Sequence, residues 1–323
     1  MAELGGPFVI AGADRSGLGL IGEMLERHPS LAISRRTNLW TFYLDRFGDL
    51  SEPGNLDRCL DAMLSFTRIR AMHPDRPRLV RDFVEGGDHS YFALFRLLGS
   101  SYAESIGKTR WGDKSLNSER DAGRVLEAYP DAVMIHVVRD PRDRHASMMH
   151  HRGGRRSGVL GSIAVWANSA RLAARNAARF PGRYLVVRYE DLVADPEQQL
   201  RRILDLVGEP FDRSVLEIDA VDVGDQSHPG GTVPRALTGS SIGRFERDVS
   251  AREVAVIERA LRLDMTRLGY DLSRPALGVM AELRVRAVDR PTVAVWSVLW
   301  RRWSAVKRRY ASGPSRRRLV SDG

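Results

Sequence analysis

Two stretches of this chain hold residue types able to handle an anion. The first, Gly12-Ala-Asp-Arg15-Ser16-Gly17-Leu18-Gly19, follows directly on the apolar run Pro7 to Gly12. A glycine-bounded turn between a strand and a helix aims free backbone N–H groups at negative charge, and Arg15 and Ser16 add a cation and a hydroxyl donor. The spacing is that of the phosphate loop G-x-x-x-x-G-K-[ST], but Leu18 stands at the Lys position and Gly19 at the hydroxyl position. A loop altered in this way handles a γ-phosphate and its metal poorly, yet it can hold a terminal dianion or a sulfonate. Taken alone, it also reads as a plain glycine-rich turn. The second stretch, VVRDPRDRHAS, sets Arg139 at the end of an apolar strand candidate and Ser147 eight residues on. A cation and a hydroxyl so placed can face one anion near the carboxyl end of a sheet.

The elements that must position these groups alternate between two hydrophobic periods. Pro7 to Gly12, Ala132 to Val138 and Tyr184 to Leu192 read as buried strands. A helix from about Gly17 to Arg27 follows the first, and Pro141 suits the first position of a helix after the second. After the third, Asp195 reads as N-cap, Pro196 as the first helical residue and Gly208 as the stop. Between Asn38 and Leu98 the pattern is mostly helical, which predicts a helical cap over residues 38–98 that covers one end of the sheet. Strands alternating with helices predict an α/β fold, a central parallel sheet flanked by helices.

Composition narrows the class. The chain has 323 residues, 43% hydrophobic and 28% charged, enough for a sizeable core. A single cysteine, Cys59, rules out an internal disulfide and disfavours a cysteine metal site, which fits a reducing compartment. No basic stretch precedes a long apolar one at the N-terminus, and no window reaches about 18 apolar residues, so a cytoplasmic protein is expected. The net charge of +9 is lopsided: Ala281 to Gly323 holds eleven Arg or Lys against Glu282, Asp289 and Asp322. A near-neutral body with a basic tail argues against a broad nucleic-acid surface.

With both anion motifs in view, the chain resembles the sulfotransferases that use 3′-phosphoadenosine 5′-phosphosulfate. The resemblance rests on ADRSG after the first strand, WGDKS at Trp111 to Ser115, Arg-Asp-Pro-Arg-Asp with Ser147, and RYEDLVADPE at Arg188 to Glu197. A weaker fifth piece is SSIGRFERDVS, with Gly243 and Arg244. The resemblance implies a P-loop-like fold spanning about Phe8 to Leu272, with a sulfotransferase domain over residues 1–275. It implies that Arg15, Ser16 and Gly17, with the N–H groups of Leu18 and Gly19, hold the 5′-phosphosulfate. Arg139 and Ser147 match the pair that holds the 3′-phosphate, and Arg244 a late basic residue closing over it. No metal is expected, because fixed cations and N–H donors stabilise the charge that builds on the leaving phosphate oxygen.

Two departures bear on catalysis. Leu18 and Gly19 replace two hydroxyl residues common in the family, and Arg35 and Arg36 fill the region where relatives often carry a Glu base. An arginine cannot act as a general base in water; Arg36 suits an anionic acceptor instead. Substitute bases are His28, Asp45, Glu85 and Asp113, and the first three have structural readings as turn, solvated-helix and turn-capping residues. Asp113 in WGDKS stands beside Lys114, which is expected to stabilise the transferring sulfonate; Arg15 joins them as a catalytic candidate. Glu190 and Asp191 are read as ordering the strand end. The expected activity is sulfuryl transfer to a hydroxyl or amine of a small-molecule or lipid-linked acceptor; the alternatives are a silent nucleotide-binding relative and a P-loop kinase.

The tail adds a separate expectation. Trp296, Leu299, Trp300, Trp303 and Val306 recur at helical spacing opposite Arg301, Arg302, Arg308 and Arg309. Residues 276–310 therefore read as a basic amphipathic helix that either packs its tryptophans on the domain or lies on an anionic membrane at the inner face. Residues 311–323 read as a disordered tail.

Overall fold

Five-residue apolar runs need partners on both faces, and the chain supplies them by winding helices around a parallel sheet. The computed structural model describes residues 6–150, 158–217 and 241–289, together with 291–293, 295, 296 and 299. The strands are β1 (Phe8–Gly12), β2 (Leu31–Arg35), β3 (Arg110–Lys114), β4 (Val133–Val138) and β5 (Tyr184–Arg188). They form one parallel sheet in the order β2-β3-β1-β4-β5. The central β1 pairs Phe8 with Gly112 on one side and with Val133 on the other. Helix α1 (Leu18–Glu26) follows β1, and α2 (Leu39–Phe42), α3 (Pro53–Ser65), α4 (Thr67–Arg70), α5 (Arg76–Glu85) and α6 (Tyr91–Ser105) come between β2 and β3. Then follow α7 (Ala122–Ala128), α8 (Pro141–His150), α9 (Gly158–Arg179), α10 (Tyr189–Ala194), α11 (Pro196–Val207), α12 (Phe245–Asp248), α13 (Ala251–Arg267) and α14 (Val279–Arg284).

Side chains alternate across the strands and so define two cores. Phe8, Ile10, Leu31, Ile33, Ile135 and Val137 pack with Ile21, Met24 and Leu25 of α1 and Leu200, Ile203 and Leu204 of α11. Val9, Ala11, Ala32, Trp111 and Met134 face the other way, onto the helical segment between β2 and β3. That segment packs on one face of the sheet, and it runs past Leu98 to Ser105. It comes close at Gly99 of α6, where the Trp111 indole lies so near that an added Cβ would overlap the ring. Gly99→Ala is therefore expected to cost about 3 kcal/mol by overpacking, read as a lower midpoint in chemical denaturation; an unchanged midpoint would contradict this packing.

Local sequence accounts for most element ends. The Asp195 carboxylate accepts from the Gln198 amide at 3.0 Å, Pro196 opens α11, and Gly208 ends it in the left-handed region, as the sequence predicts. One strand is shorter than expected: β5 stops at Arg188, its last pairing with Val138, and Tyr189 onward turns into α10 with Glu190 and Asp191 in its first turn. Strands β2 and β3 were not foreseen. At the carboxyl-terminal side, α14 and the π-helical turn Val285–Asp289 follow α13, with Val285 buried and Arg252 paired to Asp289 at 2.6 Å. The expected basic stripe at Arg301, Arg302, Arg308 and Arg309, its Trp300, Trp303 and Val306 partners, and the tail 311–323 lie outside the described residues.

Candidate active site

The carboxyl ends of β1, β3 and β4 meet where the strand order changes direction, the usual place for a ligand crevice in such sheets. The loop after β1 sits there. Ala13 O accepts from the Ser16 amide at 3.2 Å, closing a tight turn with Arg15 at φ +66°, and Gly17 caps α1 at φ +101°. A Cβ on Gly17 would run into the Tyr189 ring, so only glycine lets the loop lie against that side chain.

The structure brings the two sequence motifs into contact. Arg15 Nε donates to Ser147 Oγ at 3.0 Å, joining the loop after β1 to α8 after β4. Arg139, 6% exposed, donates to Arg15 O at 3.4 Å and to Ser241 O at 2.6 Å, and its guanidinium lies 4.7 Å from the Tyr189 ring centroid. Its Nε is buried and finds no hydrogen-bond partner among the described residues, an orphan donor that suits an anion at this place. Asp143 fastens the late segment to the same helix: its carboxylate accepts from the Gly243 and Phe245 amides at 2.8 and 3.0 Å. Arg244 opens α12 within that segment, and its guanidinium pairs with Asp248 at 3.0 Å. In the first turn of α8, Arg142 is locked between Asp140 at 2.6 Å and Glu258 at 2.5 Å with the Phe245 ring against it. Glu190 accepts from the Asp140 amide at 2.9 Å and from Tyr270 Oη at 3.1 Å, which orders the strand end; burial pushes its carboxyl above the usual range.

The altered loop positions have different fates. Leu18 is buried in the core beneath the loop with Ile10 and Ile21, so its side chain serves packing and only its backbone can face a ligand. Gly19 is exposed, with open space where a Cβ would stand. Ser16 is 1% exposed.

The catalytic candidates from WGDKS point to opposite faces of β3. Asp113 is fully enclosed, its Oδ1 accepting from Ser34 Oγ at 2.9 Å and Thr37 Oγ1 at 2.5 Å. Burial holds its carboxyl above the usual range against the opposing pull of those hydroxyls. So placed, it fixes the end of β3 to the residues after β2. Lys114 lies on the α1 side: its stem crosses Gly22, where an added Cβ would stand 2.7 Å from Cδ and 3.3 Å from Nζ. The other candidate bases stand elsewhere. His28 Nδ1 accepts from the Ser30 amide at 3.1 Å and its Nε2 lies 2.9 Å from Pro210 O, a structural pairing. Asp45 pairs with Arg124, and Glu85 ends α5 in the open. Arg35 and Arg36 are exposed at the end of β2, and the Arg36 amide donates to Lys114 O at 2.7 Å.

A buried polar ring under the loop was not legible beforehand. Asn176 Nδ2 donates to Tyr184 Oη at 3.4 Å and Glu119 O at 2.8 Å, while His136 lies 2.7 Å from Tyr184 Oη and 2.8 Å from Ser169 Oγ. Ser169 Oγ donates to Glu119 Oε1 at 3.1 Å, which assigns the His136 proton to Nε2 and makes Nδ1 the acceptor from Tyr184. Burial pushes His136 from 6.5 down to about 3. Between those values the unfolded chain binds more protons, so the stability owed to neutral His136 is full above pH 6.5 and is lost as pH falls through the window. The advantage of wild type over His136→Gln is accordingly expected to shrink below pH 6.5, by at most about 1.4 kcal/mol per pH unit. Denaturation curves at stepped pH check this, and a gap that does not change with pH contradicts it.

Fold and site together define a P-loop-like α/β protein in which arginines and hydroxyls gather beside the loop after β1. Among the described residues no group of three or more His, Cys, Asp or Glu gathers as for a metal ion. A family model described as "Sulfotransferase family" matches residues 7–213, and the chain belongs to that family. Human carbohydrate sulfotransferase 2 is 40% identical over 94 residues, covering 24% of this chain and 18% of that protein, so the match spans under a fifth of that relative. The sulfotransferase domain of the Synechococcus PCC 7002 olefin synthase superposes with a TM-score of 0.56 at 22% identity, covering 84% of this chain and 98% of that one. The sulfotransferase domain from the curacin biosynthetic pathway gives 0.54 at 20%, covering 84% and 100%. These two likenesses establish the fold.

Proposed function

We propose that this chain is a sulfotransferase that moves a sulfuryl group from 3′-phosphoadenosine 5′-phosphosulfate to a hydroxyl, or to an amine, of a small-molecule or lipid-linked acceptor. The observation that carries the reading is the Arg15–Ser147 contact at 3.0 Å beside Arg139 and its orphan Nε. It joins both anion motifs into one patch with two guanidinium groups and a hydroxyl, which suits a donor that carries more than one anionic group. Arg15, Ser16 and the N–H groups of the loop would hold the phosphosulfate end, and Arg139 and Ser147 the 3′-phosphate. In transfer the sulfur–oxygen bond to the phosphate breaks as the acceptor oxygen or nitrogen attacks, the phosphate leaves with the electron pair, and the acceptor's proton passes to water. Lys114 supplies a cation for the oxygens that gain charge, and Asp113 keeps the strand end from moving. A kinase reading is weakened by Leu18, whose side chain is committed to the core where a P-loop lysine would be needed.

Calorimetry with 3′,5′-adenosine bisphosphate, compared with ATP and Mg²⁺, tests the reading. The bisphosphate is expected to bind and ATP to bind weakly or not at all; no bisphosphate binding at millimolar ligand would overturn the assignment.

We further propose peripheral attachment to anionic membrane through the carboxyl-terminal basic segment, at the cytoplasmic face. Its support is the exposure of Trp296 and Leu299, large apolar side chains beyond Pro291 that the domain leaves uncovered. No helix among the described residues is long and apolar enough to cross a membrane. Sedimentation with anionic vesicles, full chain against a chain ending at Pro291, should lose binding in the truncated form; equal binding would end the idea.

A further inference from the structure

We infer that Arg144 is a positioning residue of the anion loop: buried beneath it, its guanidinium sets which way the Asp14–Arg15 peptide faces and places a fixed positive charge behind that peptide. The inference rests on the sulfotransferase reading of the same site. Arg144 lies on α8 one helical step from Ser147, and residues three apart share a helix face. It is 2% exposed, and its hydrogen bonds run to carbonyl and hydroxyl oxygens, with the Asp14 and Glu119 carboxylates acting on it only through the field. Its Nε donates to Asp14 O at 2.8 Å, and its Nη1 donates to Ser162 Oγ at 3.1 Å and Ser162 O at 3.4 Å. One side chain thus ties the loop after β1 to the first turns of α9.

The Asp14 carbonyl belongs to the central peptide of the turn closed by Ser16 and Ala13. A turn can carry its central peptide in either of two orientations, and a positive φ at the third residue goes with one of them. Arg15 has that φ, +66°, which is unfavourable for a side chain other than glycine and needs an outside hold. Because the peptide is planar and trans, drawing the Asp14 carbonyl toward Arg144 sends the Arg15 N–H the opposite way, away from Arg144. Arg139 holds the next carbonyl, Arg15 O, at 3.4 Å, so consecutive loop carbonyls are both claimed by guanidinium groups.

The charge matters alongside the geometry. Burial brings Arg144 down to about 10, partly offset by Asp14, with Arg139 and Arg15 adding to the drop. Three guanidinium groups near one loop repel one another, and an anion seated on the loop relieves that repulsion. Arg144 therefore contributes to anion affinity without touching the anion.

Calorimetry on the full chain with 3′,5′-adenosine bisphosphate, and separately with inorganic sulfate, tests this through Arg144→Lys and Arg144→Gln. Both replacements keep a donor for Asp14 O, but only Lys keeps the charge. The expected result is bisphosphate affinity about threefold weaker for Lys and about thirtyfold weaker for Gln, with sulfate following the same order. A purely structural prop predicts equal losses, so equal affinities for the two variants, or wild-type affinity in Gln, overturn the inference. Wild type binding sulfate but not the bisphosphate would overturn the donor assignment and leave Arg144 to be judged on sulfate. Should neither variant fold, hydrogen exchange of the wild type decides: Ser162 meets the loop through Arg144, so bisphosphate should slow exchange in residues 160–165. Unchanged exchange there would also overturn the inference.

Discussion

Lys114→Ala is expected to lower turnover by about 10²- to 10³-fold while leaving affinity for 3′,5′-adenosine bisphosphate within a few-fold of wild type. Lys114 is the last residue of β3, in register with Ile10 of β1 and Arg35 of β2, and its stem lies along Gly22 on the loop helix. Its backbone is held from two sides, by the Arg36 amide on its carbonyl and by the enclosed Asp113 just before it. An ammonium on so fixed a strand end interacts more strongly with sulfuryl oxygens as they gain charge than with the resting donor, and such a difference appears in kcat. The half-buried side chain leaves the two cores untouched, so the melting temperature should stay within a few degrees. Turnover is measured with whichever alcohol the wild type sulfates from a panel of saccharides, phenols and lipid-linked acceptors. Undiminished kcat would remove Lys114 from the chemistry, and an equal loss of bisphosphate affinity would recast it as a general binding residue.

How far the chain disclosed this site depended on whether the signal was local. The loop, the start of α8 at Pro141 and the caps of α11 are written in consecutive residues, and they appear as read. Strand β4 was legible because VMIHVV is buried throughout. Strands β2 and β3 were not. RWGDK has a glycine and two charged residues of poor strand preference, and each has a tertiary reason: Gly112 makes room for the Phe8 ring, Asp113 anchors, and Lys114 faces the loop helix. The loop pattern marks Leu18 as the place of a lysine, whereas the structure shows it as a core residue. Arg144 sits in RDPRDRH among charges that all look solvated, and its burial follows from Asp14 and Ser162, which are far apart in sequence. Its three-residue spacing from Ser147 was the one local clue. The Glu119–Ser169–His136–Tyr184–Asn176 ring draws on four separate elements and has no local signature at all.

Gly17→Ala should disable the loop, weakening bisphosphate binding about 10²-fold and costing about 2–4 kcal/mol of stability. Two separable effects add. The backbone at φ +101° and ψ +10° lies where a Cβ is strained, and the added methyl would also overlap the Tyr189 ring. That ring is the face under the Arg139 guanidinium, 4.7 Å from its centroid, so displacing it loosens the residue that holds Arg15 O and the Ser241 carbonyl. A double-mutant cycle with Tyr189→Ala distinguishes the parts. Tyr189→Ala alone should cost about 1 kcal/mol through the lost cation–π contact and packing. In the double variant the clash is gone and only backbone strain remains, so the combined loss in stability should fall short of the sum of the single losses by about 1–2 kcal/mol. Full additivity would mean that the methyl never meets the ring. Wild-type binding in Gly17→Ala would mean that the loop does not need its left-handed cap, and the cradle described by Arg15, Arg139 and Ser147 would have to be formed in some other backbone arrangement.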